Sequence, residues 1–164
     1  MSEASLQKSG KEGIESFAEF GGEAATKELL EKATRQGGEQ LATKTIAYSR
    51  RYGVDALKIL SEDPKAMVKA LDSLPSSLSS RAISEGARNP MLITKMVRQH
   101  GDEALRICAD HPGVGLQIVE TYGEAGIKAA RNLSTDELIL FARQSSAFKT
   151  LPTSAKRQFT DLLA

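Results

Sequence analysis

A chain of 164 residues is long enough for one domain with its own hydrophobic core. Its net charge of +1, from 22 Lys and Arg against 21 Asp and Glu, gives no reason to expect polyanion binding through overall charge. A single cysteine excludes an internal disulfide, and 5% aromatics with no Trp leave Leu, Ile, Val, Ala and Met to build the core, the palette of packed helices.

Residues 1–12 are rich in Ser, Gly, Glu and Lys and read as a disordered or frayed tail before one helical domain over 13–164. The start holds no apolar run to act as a secretion signal, and no stretch approaches the roughly 18 apolar residues of a membrane span. The expectation is a cytoplasmic chain with no membrane partner; export without a cleaved N-terminal signal stays open. Ile14, Phe17 and Phe20 then mark a short amphipathic start. Gly21, Gly37 and Gly53 follow at equal spacing and bracket two helices of about three turns.

After Gly53 the step shortens to eleven residues. "YGVDALKILSEDP" (52–64) is nearly repeated by "HGDEALRICADHP" (100–112). Gly53, Pro64 and Pro75 are evenly spaced, and so are Pro90, Gly101, Pro112, Gly123 and Ser134. Gly closes helices and Pro opens them, so each interval holds about two turns and a corner. Between Pro75 and Pro90 the interval is longer, with one more turn or a looser corner. Its serines make it the softest point of the array. Pro152 opens the last unit.

The seventh residue after each boundary is Leu60, Leu71, Ala82, Val97, Cys108, Val119, Ala130, Phe141 or Phe159. All are apolar, where a draw at the chain's 40% apolar content gives about four of nine, so a buried stripe recurs with the boundaries. Helices this short are marginal alone and must be stabilised by their neighbours. The expected fold is all-α, an array of short helices stacked as an α-solenoid, with a compact irregular helical bundle as the alternative. In architecture the chain resembles HEAT-type and tetratricopeptide-type helical repeats. That resemblance implies stacked helices and no particular activity, because a hairpin here is shorter than the roughly 34 and 40 residues of those repeats.

His100, Cys108, Asp110 and His111 are the residues most suggestive of chemistry, since zinc sites use such side chains. The repeat gives three of them structural places. His100 precedes its glycine as Tyr52 and Tyr122 do, Cys108 falls on the core stripe, and His111 precedes its proline as Asp63 and Asn89 do. Acidic residues cluster at helix starts, where they complement the dipole, and "STDE" at 134–137 spells a capping box. Gly21–Gly22, Gly37–Gly38 and "HPGVG" at 111–115 read as corners. Lys58 and Glu62 are spaced to pair on one helix face.

The function expected is a non-catalytic protein–protein interaction module or scaffold that needs no cofactor. Tyr48, Arg51, Arg98 and Gln99 are its candidate contact residues, and a protein or peptide is its partner. The alternatives are nucleic-acid binding through local basic residues, and a metal site or enzyme using His100, Cys108 and His111.

Overall fold

A computed structural model describes residues 22–162, so the 1–12 tail and the start at Ile14, Phe17 and Phe20 lie outside the described residues. All regular structure in the described residues is helical. The helices are α1 (Gly22–Glu62), α2 (Pro64–Ser73), α3 (Ser76–Gly86), α4 (Pro90–His100), α5 (Asp102–Asp110), α6 (Gly115–Tyr122), α7 (Glu124–Asn132), α8 (Thr135–Ala142), α9 (Ser145–Thr150) and α10 (Thr153–Leu162). Non-helical backbone at Gly37, Gly38 and Gly53 breaks α1 into segments 22–36, 39–52 and 54–62, so Gly37 and Gly53 are corners, while Gly21 lies outside the described residues.

Two kinds of corner recur. Gly53, Gly101 and Gly123 share a backbone conformation with φ of 63, 67 and 57° and ψ of −144, −151 and −125°. Residues with a side chain avoid this region. The Gly101 N–H donates to the Val97 carbonyl at 2.8 Å and closes α4, and the same residue begins α5. One residue is thus the whole link between two helices. A Cβ at Gly101 would meet open space, so Gly101→Ala isolates the backbone cost. It should lower stability by about 1–3 kcal/mol, read as a reduced urea midpoint at unchanged slope.

At the second kind of corner a side chain caps the next helix. Asp63 and Asn89 accept the backbone N–H groups of Ala66 and Leu92, each at 3.2 Å, with Pro64 and Pro90 in the first helical turn. Ser134 and Glu137 form the expected capping box before α8. The hydroxyl and N–H of Ser134 hold the Glu137 carboxyl below its ordinary pKa.

Three details differ from the sequence reading. The helix expected from Pro112 begins at Gly115, because Gly113 takes a φ of 80° and turns the chain once more. The unit expected between Ser134 and Pro152 is two helices. Arg143 and Gln144 bond to Leu140 and Phe141, tightening and ending α8, and α9 then brings Phe148 to within 4.5 Å of the Tyr122 ring. Lys58 pairs at 3.8 Å with Asp55, one turn back, and not with Glu62. The Glu62 carbonyl, with that of Ser61, instead accepts from Lys32 across the helix pair. The long interval before Pro90 is resolved as a looser corner, since α3 ends at Gly86 and Ala87 to Asn89 form a turn.

The stripe is the core. Leu60, Leu71, Ala82, Val97, Cys108, Val119 and Ala130 are buried, and Phe141 and Phe159 half-buried against Tyr122. α2, α4 and α6 lie in one row and α3, α5 and α7 in another, with α5 packed across to α2, α4 and α6. Polar links join row neighbours: Arg81 to the Ala109 carbonyl at 3.2 Å, Arg131 to Glu103 at 2.9 Å and Arg98 to Asp63 at 2.7 Å. Such neighbour-to-neighbour packing is common to a solenoid and to a bundle wound from short helices.

Candidate protein-interaction face

α2 forms a ridge between two grooves. Its sequence, PKAMVKALDS, buries Met67, Val68 and Leu71 and therefore turns Lys65 and Lys69 outward, one helical turn apart. Between α2 and residues 37–44 lies a cavity of about 430 Å³ with Leu41 and Val68 among its lining and Lys44 and Asp72 on its walls. Between α2 and α4 lies another of about 450 Å³, where Ala66, Ala70 and Val97 meet Arg98 and Asp102. Lys65, Lys69 and Ser73 line both, so the grooves are two sides of one feature.

The charges around this ridge are unequally satisfied. Lys44 and Tyr48 both reach Asp72, the phenol at 2.9 Å. Burial first, and then the Asp72 carboxylate, push the Tyr48 phenol above its ordinary pKa. Arg98 grips one Asp63 oxygen with two nitrogens at 2.7 Å. Lys65 and Lys69 have no ion pair among the described residues.

Of the contact residues nominated from sequence, Tyr48 and Arg98 stand on the two helical segments that flank α2. Arg51 lies over the Tyr52 ring at 5.3 Å, and Tyr52 in turn stacks on Tyr48 at 6.1 Å. Gln99 is exposed on α4. Sequence reasoning missed Lys65 and Lys69, whose signal was two outward lysines on a helix with no acidic residue in its first turn.

The His100–His111 segment is not drawn together. His100 is half-buried at the end of α4. The His111 ring spans to Thr135 Oγ1 at 3.0 Å through Nδ1 and to the Ala130 carbonyl at 2.8 Å through Nε2. A carbonyl only accepts, so Nε2 carries the proton there. His111 therefore ties its corner to α7 and α8, where Asp63 and Asn89 cap helices. Cys108 is 1% exposed, and burial, followed by Glu85, pushes its thiol up to about 12. Among the described residues no three His, Cys, Asp or Glu side chains converge as metal ligands. Because the thiolate is the reactive form, native Cys108 at pH 8 should react with an aromatic disulfide reagent on the order of a thousandfold more slowly than the unfolded chain. Rapid native labelling would contradict its placement in the core.

The fold and its grooves define an all-α protein of short stacked helices. Among known proteins the chain matches no family model, no curated sequence and no solved structure. Among the described residues no helix is long and apolar enough to cross a membrane.

Proposed function

We propose that this chain is a non-catalytic protein-interaction module, a scaffold whose stacked helices hold a protein or peptide. One observation carries the reading: the α2 face presents two grooves with apolar lining along an exposed ridge. The nucleophile most open to chemistry in the sequence, Cys108, is packed as a small hydrophobe with its thiol protonated at neutral pH. Held helices on either side make the face a stable template, which lowers the ordering cost of binding.

The test is affinity capture from the source cell with the full chain, followed by titration of each captured protein, purified, in a calorimeter. A saturable complex of fixed stoichiometry is expected with at least one of them. If every purified candidate fails to rebind, the module reading falls.

A further inference from the structure

We propose that this chain pairs with a second copy of itself, the two α8 helices lying antiparallel across a two-fold axis. The inference concerns a different face from the α2 grooves and stands independently of the module reading. Among the described residues, the exposed large apolar side chains Ile139, Leu140, Leu151 and Leu162 fall in or beside the last three helices, and Met91 alone lies elsewhere. Two of them belong to α8. Its sequence, TDELILFA, runs apolar without a break from Leu138 to Ala142. A helix apolar all round is ordinarily covered all round. Here Leu138 and Ala142 are buried and Phe141 stacks on the Tyr122 ring at 4.3 Å, while Ile139 is 40% and Leu140 59% exposed.

The charges at either end of this uncovered pair point to the occupant. Asp136, Ile139, Leu140 and Arg143 are all exposed and follow one another at steps of three, one and three, so they form one stripe along the helix. Arg143 keeps helical backbone as the C-cap, and the stripe continues through it. Its order is acid, apolar, apolar, base. Neither Asp136 nor Arg143 has an ion pair among the described residues. The neighbouring Glu137, by contrast, is engaged by the N–H and hydroxyl of Ser134.

Such a stripe is its own complement. A two-fold axis midway between Ile139 and Leu140 exchanges the two ends. Asp136 then meets the partner's Arg143, Ile139 meets the partner's Leu140, and symmetry makes each contact twice. A parallel arrangement sets Asp136 against its own copy and Arg143 against its own copy, so charge selects the antiparallel one. A foreign helix needs no pattern that reads the same in both directions, whereas a two-fold contact between identical chains requires it. Two short helices bury less than the roughly 1,200 Å² of stable interfaces, so the pairing is weak and depends on concentration.

The test is sedimentation equilibrium of the full chain at low salt, from about 5 to 500 μM. A reversible monomer–dimer equilibrium is expected. Asp136→Arg and Arg143→Asp, both at exposed positions, should each weaken it at least about tenfold, because each sets like charges together in two symmetry-related contacts. Mixing the two variants should restore association to within about threefold of the parent, since one stripe is then basic at both ends and the other acidic at both. Leu140→Gln removes an exposed apolar contact and alters no charge, so it tests the face even if a charge variant does not fold. It should weaken self-association at least about tenfold. A chain that stays monomeric throughout, an equilibrium unchanged by Leu140→Gln or by either charge variant, or mixed variants that are folded yet monomeric overturns the proposal. So does a variant lacking residues 1–21 that dimerises at least about tenfold more tightly, since Ile14, Phe17 and Phe20 of the same chain would then be covering α8. A captured protein whose binding is lost with Leu140→Gln, while the free chain stays monomeric, overturns it in favour of a foreign partner. None of these failures touches the α2 grooves, whose own test is the rebinding of captured proteins.

Discussion

Leu105→Asp abolishes or severely lowers the cooperative thermal transition. Leu105 lies on α5, the helix that packs against both rows, and is 0% exposed. A carboxylate there loses its hydration and gains no counter-charge, a loss of about 3–5 kcal/mol, and the cavity left by the shorter side chain adds to it. Domains of this kind are stable by only about 5–15 kcal/mol, so the variant keeps a small part of that margin or none. The pH dependence identifies the cause. Burial raises the folded pKa of the new carboxyl above its unfolded value near ~3.9. The folded state then binds more protons in that window, so stability falls as pH rises from the unfolded pKa to the folded one. Lowering the pH through that window should partly restore the variant relative to the parent. Leu105→Asn, similar in size but without a titrating group, should show no such recovery. A Leu105→Asp protein that melts with the parent would mean that the stripe does not face inward.

How much of this was legible depends on where each structural requirement resides. Corners were readable because one residue carries the whole signal: Gly101 by its backbone freedom, Pro64 and Pro90 by their fixed φ, Asp63 and Asn89 by their short acceptors. The stripe was readable because helical periodicity survives at the level of single letters. The start of α9 was not, since "RQSSAF" holds neither Gly nor Pro and the helix breaks to bring Phe148 to Tyr122. The binding face was half legible. Tyr48 and Arg98 were nominated by residue type, yet α2 between them was passed over. Local rules offer Asp72, three residues on, as a partner for Lys69. The fold gives Asp72 to Lys44 and Tyr48 of the neighbouring helix, and Lys69 is left outward. Such a choice depends on tertiary packing and has no trace in a window of sequence.

Gly126 shows the same limit, and its substitution should reverse the sign that local propensity gives. Gly126 lies inside α7, where replacing Gly by Ala ordinarily stabilises a helix by about 1 kcal/mol. Here a Cβ would stand 2.5 Å from the carbonyl oxygen of Ile118 on α6 and 3.0 Å from its side chain. The obstacle is backbone, which cannot rotate away, so α6 and α7 must separate. Overpacking of this kind costs about 1–3 kcal/mol, and the rigidity of the obstacle places Gly126→Ala at the upper end. Gly115 repeats the arrangement one unit earlier, with its Cβ position 2.5 Å from the Ile107 carbonyl oxygen on α5. Both glycines fall three residues after a boundary, and both carbonyls belong to an Ile eight residues earlier, so the close approach is a property of the repeat. Gly86 supplies the contrast, because its nearest obstacle is the Ile93 side chain at 3.3 Å, a contact relieved by a shift of a few tenths of an ångström and not by parting two backbones. In urea denaturation Gly115→Ala and Gly126→Ala should each be destabilised by about 3 kcal/mol, while Gly86→Ala stays within about 1 kcal/mol of the parent. A Gly126→Ala protein more stable than the parent would show that α6 and α7 do not meet backbone to backbone, and the stacking of the second half of the array would have to be redrawn.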